Sequence, residues 1–305
     1  MKRLKGYAMV ASAAFIWGTA ATAAKMLLSR DINTILLVQT RVTFSAIFLG
    51  SILVAFRPAL LRVHLADLWR LALLGILGIA GSNFTYYFVI KEASVSVAIL
   101  LQYTAPLLIM AYAAVTREED LTPLKVFSAC AALLGCALAV GAFQKPSLPI
   151  GASALGVGTL SAFTFAFMTV FTRHLLARYS LWTVTLYGLL FASLFWLLVN
   201  PPWRIAQESP PAPLWGALVA LAIFSVLIPH SLFFAGLRHV VPARAIIIST
   251  LEPVVAIATA ALVAGEAFGP VQAAGAVLVL GAVVILQLRR EVHGEELAED
   301  SRGDH

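Results

Sequence analysis

The chain has 305 residues, of which 61% are hydrophobic and only 12% charged, with a net charge of +6. That composition excludes an ordinary water-soluble domain. Nor does anything in it suggest a nucleic-acid binder, which needs a basic groove lined with aromatic platforms.

Uncharged stretches cover 6–24, 71–90, 93–116, 126–144, 146–172, 179–203, 209–237 and 267–288. Two more, 32–56 and 245–265, qualify once a single ionisable residue in each, Arg41 and Glu252, is admitted. Each can cross a hydrocarbon core of ~30 Å as a helix. Only helices or closed barrels satisfy the backbone in lipid, and barrel strands would alternate in polarity, which these runs do not. The expected fold is an all-α polytopic membrane protein with ten transmembrane helices.

The opening "MKRLKGYAMVASAAFIWGTAATAAK" has a basic start and small residues near position 23, like a signal peptide. Its apolar stretch is long for a signal, and the repeat described below requires it as span 1. Trp17 sits near mid-span rather than in an interfacial belt, which makes it a pocket candidate. Trp69, Trp182, Trp203 and Trp215 lie near span ends and read as belt residues. In span 2, Arg41 lies ~12 Å below the start of the helix. It could receive a substrate carboxylate, pair with Glu252, or act structurally with its long stem snorkelling.

Span 3, "GILGIAGSNFTYYFVIK", opens with Gly75, Gly78 and Gly81, which permit close helix approach. It then offers Asn83 and Tyr87, four apart on one face. In span 4, Gln102 and Tyr103 immediately precede a break at Pro106. Span 5 holds Cys130 and Cys136, ~9 Å apart along one helix and on different faces, so they cannot bridge each other. No Cys or His cluster has metal-ligand spacing, and neither metal nor cofactor is expected. Phe163 and Phe167 share a face of span 6; Phe163 joins Trp17 and Tyr103 as an aromatic pocket candidate, with a lipid-facing or core role equally open. Span 8 presents His230, beside Pro229, with Phe233 and Phe234.

Span 9 carries the most informative misfit. A carboxylate at mid-span costs about 2.5–3.5 kcal/mol on insertion scales, so Glu252 should face protein or a wet cavity. Pro253 lacks an N–H and frees a carbonyl one turn back, near Ser249. A freed carbonyl, Ser249, Thr250 and a carboxylate in one turn form a candidate binding patch. Glu252 could meet a substrate amine, carry a coupling proton, belong to a structural ion pair, or rest as a protonated, hydrogen-bonded acid. Glu119 and Glu266 each precede a helix opening at Pro123 or Pro270, where an acid favours the N-terminal dipole; they read as structural. Spans 5 and 10 are small and apolar, suited to scaffold packing or lipid exposure. The tail from Arg289, "RREVHGEELAEDSRGDH", is polar and expected to be disordered.

Alternating the loops puts fifteen Lys or Arg residues on one side, from Lys2 to Arg302, and five (Lys25, Arg30, Lys91, Lys145 and Arg204) on the other. The positive-inside rule then makes both termini cytoplasmic.

The chain also repeats itself. At an offset of 147 residues, "QYTAPLLIMAYAAVTREEDLTP" overlies "STLEPVVAIATAALVAGEAFGP", matching Pro106 to Pro253, Glu119 to Glu266 and Pro123 to Pro270. The same shift places Lys91 on Arg238, Asn83 on His230, and Tyr86-Tyr87 on Phe233-Phe234. Near the start of each half an offset of 148 matches Lys25 to Arg173 and Arg30 to Arg178. Two units follow, 1–143 and 144–288, then a tail at 289–305. Five spans per half is an odd number, so the second copy enters the membrane inverted. Inverted repeats are a recurring transporter plan, with the binding site near the midplane where the halves meet.

These residues resemble the drug/metabolite transporter superfamily, specifically its ten-span EamA-type exporters with two EamA repeats. The resemblance covers about 6–288 and rests on "WGTAATAAK", "QTRVTFSA", "LLQYTAPLL" with "EEDLTP", and "LEPVVA" with "GEAFGP". It implies a cavity lined by spans 1, 3, 4, 6, 8 and 9. It implies that spans 5 and 10 give support or mediate contacts; separately, a homodimer is among the expected partners. It also implies export of amino acids, aromatic ones included, or of other small metabolites, and an arginine at the position of Arg41 whatever the substrate.

No P-loop is present, so transport would draw on a gradient of substrate or of ions such as protons. No HExxH or GxSxG supports an intramembrane enzyme. The reading that follows is a secondary exporter in the cell membrane working by alternating access, with efflux of organic cations on Glu252 as the alternative. The candidate substrate-binding residues are Trp17, Asn83, Tyr87, Gln102, Tyr103, Phe163, His230, Phe234, Ser249 and Glu252. Arg41 is structural or a carboxylate partner, and Pro106 and Pro253 are helix breaks.

Overall fold

The computed structural model describes residues 2–28, 32–117, 122–139, 151–208, 211–264 and 269–285. Arg30, Glu119, Lys145, Glu266 and the tail from Arg289 lie outside the described residues. Within them the chain is helical, with no strand and no cis peptide bond. The helices are α1 (Lys2–Leu28), α2 (Thr34–Phe56), α3 (Leu65–Glu92), α4 (Val95–Gln102, then Ala105–Thr116) and α5 (Pro123–Ala139). The second half gives α6 (Ala152–Leu176), α7 (Leu181–Val199), α8 (Ala212–Leu237), α9 (Pro242–Ser249, then Leu251–Ala264) and α10 (Pro270–Ile285). Eight of these are long and apolar enough to cross a membrane, and α5 and α10 are shorter apolar helices. Side-chain caps start several of them: Asn33 accepts from Ile35 N, Ser94 from Val97 N and Ser180 from Thr183 N.

The repeat is visible in two backbone irregularities. α3 contains a π-helical segment at Leu74–Ala80 and α8 one at Ala222–Leu227, and at an offset of 147 the ends of the two coincide. α4 is interrupted at Tyr103–Thr104 and α9 at Thr250, again one offset apart. The prolines do this: Pro106 and Pro253 each sit in the first turn of a new half-helix, where a missing N–H is harmless, and their rings forbid continuation from the previous one.

Packing follows the same exchange of halves. α1 lies against α8 and α9, as α6 lies against α3 and α4. α2 meets the π segment of α8, as α7 meets that of α3, and α2 and α7 pack on each other. Away from this centre, α5 and α10 close through glycines. A Cβ on Gly135 would fall 2.9 Å from the Gly275 oxygen, and one on Gly275 would fall 2.7 Å from that of Gly135. Large apolar side chains such as Phe15, Leu198 and Leu262 point outward, as a lipid-facing surface requires.

The helix ends that alternate to one side in sequence also cluster in space. Arg244, at the start of α9, donates to Tyr7 Oη at 3.0 Å, and Arg173, at the end of α6, donates to the Leu237 carbonyl. Asp67, at the start of α3, accepts from Arg70, Arg178 and Tyr179 Oη. At the opposite end Gln39 and Asn200 form a reciprocal pair, with bonds of 2.8 and 2.9 Å.

Candidate substrate cavity

A polar cavity opens where the two halves meet. Trp17 of α1, Arg41 of α2 and Gln102 of α4 line it from the first half, together with Ser82, Asn83, Tyr86 and Tyr87 of α3. From the second half come Phe165 and Met168 of α6, Ser225 and His230 of α8, and Glu252 of α9. These are the six spans that the resemblance implies, with α2 added through Arg41.

Glu252 is 5% exposed and sits in the first turn of the second half of α9, where the helix dipole favours a negative charge. Tyr86 Oη donates to its Oε1 at 3.1 Å, and Tyr103 Oη lies 2.9 Å from Oε2. Tyr103 Oη also stands 2.6 Å from the Ser249 carbonyl, the one that Pro253 leaves without a helical donor. No Lys, Arg or His nitrogen forms an ion pair with Glu252 among the described residues. Among the described residues, two phenols rather than a cation hold this acid. Gly18 lets α1 approach it, since a Cβ there would fall 2.7 Å from the Glu252 backbone oxygen.

Arg41 is 1% exposed, and its Nε donates to Ser225 Oγ at 2.9 Å. The guanidinium carbon lies 4.5 Å from the Tyr87 ring centroid. Its Nη1 is buried with no hydrogen-bond partner. A buried cationic N–H left unmatched favours any anion that can reach it. Arg41 also has structural work: Nη2 reaches the Ser225 carbonyl at 3.4 Å, and Ser45, one turn on, donates to the Ala222 carbonyl at 2.7 Å. Both bonds satisfy carbonyls in the π segment of α8.

Asn83 and His230, repeat counterparts, behave alike. Asn83 Nδ2 donates to Ile79 O at 2.8 Å and His230 Nδ1 bonds Val226 O at 2.9 Å, each four residues back in its π segment. A carbonyl can only accept, so Nδ1 carries the hydrogen, and a neutral His230 keeps Nε2 as an acceptor. Gln102 Nε2 bridges to Ser161 Oγ at 2.9 Å and reaches Ser82 Oγ at 3.4 Å, tying α4 to α6 and α3. Trp17 packs edge-on to His230 at 5.3 Å and to Phe165 at 6.3 Å. The cavity volume is about 50 Å³, enough for a few waters, so a larger ligand requires its walls to part.

Four expected contacts fall elsewhere. Phe163 is 55% exposed on the outer face of α6; Phe165, two residues on and thus about 200° around the helix, takes the inner position. Phe234 is fully buried behind His230, with ring centroids 6.0 Å apart. Tyr103 and Ser249 form the layer behind Glu252 rather than the wall. Ser82, Tyr86, Phe165, Met168 and Ser225 were missed as wall residues. For Phe165 the signal existed: the offset of 148 that aligns Lys25 with Arg173 carries Trp17 onto Phe165.

The profile of the EamA-like transporter family matches residues 4–141 and again 152–288. The chain belongs to that family. Among curated relatives, it is 25% identical over 291 residues to an uncharacterized inner membrane transporter, YicL, of Salmonella typhimurium, covering 93% of this chain and 95% of the relative. An uncharacterized transporter of Archaeoglobus fulgidus is 26% identical over 69% of this chain and 75% of its own. The uncharacterized transporter YcbK of Bacillus subtilis is 23% identical over 68% and 69%. One solved crystal structure shares the fold with a TM-score of 0.76 at 22% identity, covering 95% of this chain and 98% of its own. The protein is thus an all-α integral membrane protein of a transporter family.

Proposed function

We propose that this EamA-family protein is a secondary exporter of amino acids, aromatic ones among them, in the inner membrane, with both termini cytoplasmic. The observation that carries this reading is an arginine and a carboxyl group that line one cavity without pairing among the described residues. Arg41, from the first half, offers an unmatched N–H, and Glu252, from the second, offers a carboxylate held only by neutral phenols. Opposite charges that share a cavity without pairing fit a ligand that carries both, such as a zwitterion with its carboxylate on Arg41 and its amine on Glu252. Trp17 and Phe165 supply an apolar wall for a side chain.

The repeated architecture supports alternating access. A ligand held between equivalent halves is exposed to one side or the other as the halves exchange packings. Tight packing of α2 on α8 and α7 on α3 makes that exchange a step between discrete states. The positive-inside bias supports the orientation, and the Salmonella typhimurium relative supports the inner membrane. Counterflow of labelled amino acids in proteoliposomes, with and without a pH gradient, tests the function. Accumulation of phenylalanine or tyrosine supports it. Accumulation of quaternary amines with no amino acid taken up replaces it with cation efflux on Glu252.

A further inference from the structure

Three acceptors converge on two phenols beside the break in α9. Tyr86 Oη serves Oε1 of Glu252, while Tyr103 Oη faces both Oε2, at 2.9 Å, and the Ser249 carbonyl, at 2.6 Å. A phenol has one hydrogen to give. Pro253 supplies no N–H, so Ser249 O depends on Tyr103 for a donor.

Counting hydrogens separates two states. When Glu252 is ionised, its two oxygens claim both phenol hydrogens, and the Ser249 carbonyl is left unpaired. When Glu252 is protonated on Oε2, that hydroxyl donates to the Tyr103 oxygen. Tyr103 then donates to Ser249 O and Tyr86 to Oε1, and every acceptor is satisfied. The Tyr103 ring comes from the matching break in α4, so its hydrogen bond to Ser249 ties the two breaks together.

We propose that Tyr103 is a positioning residue that acts as a latch: neutral Glu252 turns its hydroxyl to Ser249 and ties the breaks of α4 and α9, and ionised Glu252 draws it away and frees them. A substrate amine on Glu252 requires the ionised form, so it releases the latch and a proton closes it. The inference rests on Glu252 being the substrate carboxylate, yet the latch itself needs no substrate to be seen. Among the described residues, the other ionisable groups around Glu252 are Arg41 of α2, Tyr86 and Tyr87 of α3, Cys136 of α5 and His230 of α8, and α1 presents the Gly18 backbone.

Hydrogen exchange of a peptide spanning 245–258, in lipid nanodiscs without substrate, measures the latch. After correction for intrinsic rates, wild-type uptake between about pH 5 and pH 9 should rise in one step. The step should be about fivefold, the effect of one hydrogen bond. Tyr103→Phe should be high and flat. Glu252→Gln should be low and flat, because its amide donates to Tyr103 as the neutral acid does. Tyr86→Phe should keep a step. A flat wild type, or a step retained in Tyr103→Phe, overturns the latch. If the latch behaves as stated while no amino acid binds, the substrate assignment fails and the latch survives.

Discussion

The break in α4 presents Tyr103, Thr104, Ala105 and Pro106; the break in α9 presents Thr250, Leu251, Glu252 and Pro253. The backbones match, yet the first break contributes a phenol and the second a carboxylate, and the two side chains meet. The π segments show the same contrast. α2 brings Arg41 and Ser45 to the segment in α8 as hydrogen-bond donors. One offset of 147 away, α7 brings Gly188 and Ala192 to the segment in α3. There a Cβ on Gly75 would fall 2.6 Å from the Gly188 oxygen. The two halves keep matching scaffolds, while Arg41 and Glu252 each occur in one half only and both line the cavity at the seam.

Moving a charge across the symmetry should break the site most severely. Glu252→Ala with Ala105→Glu restores the net charge, but the counterparts of Tyr103 and Tyr86 are Thr250 and Phe233, which offer no pair of phenols. Amino acid affinity should fall about a hundredfold, as expected for losing a charged hydrogen bond, read by equilibrium binding; retained affinity would show that the halves are chemically equivalent after all. Arg41→Ala should lower affinity about tenfold and unfolding stability by ~1.5–3 kcal/mol, because it removes both the anion partner and a brace on the α8 segment. Gly18→Ala should cost ~1–3 kcal/mol in thermal unfolding, since its Cβ meets the backbone of α9. Its counterpart Ala166 already carries a Cβ, and Ala166→Gly should cost no more than ~1 kcal/mol. Phe163→Ala, on the outer face, should leave binding unchanged and stability within ~0.5 kcal/mol.

Much of this was legible in the sequence because membrane chemistry is strict. Continuous apolar runs fixed the helices, and Pro106 and Pro253 at one offset located both breaks. Glu252 stood out because a carboxylate at that depth needs a reason. Hydrogen-bond partners were harder to read. Nothing in "LLQYTAP" says that Tyr103 reaches Ser249, 146 residues away, because that contact depends on how two half-helices pack. The π segments were invisible, since "LGILGIA" and "AIFSVL" share no pattern; they pack against α7 and α2 respectively. The face of span 6 taken alone points to Phe163, whereas the repeat register, which carries Trp17 onto position 165, points to Phe165.

In the proposed reading, Arg41 and Glu252 hold opposite ends of one zwitterion. Binding of phenylalanine, phenylalaninamide and 3-phenylpropionate to the purified protein tests it most directly, because the three ligands carry both charges, only the cation and only the anion. Phenylalanine should bind at least about tenfold more tightly than either of the other two, one charged contact being worth that much. Glu252→Gln should erase its advantage over 3-phenylpropionate and Arg41→Gln its advantage over phenylalaninamide. Phenylalaninamide binding as tightly as phenylalanine to the wild-type protein would contradict it.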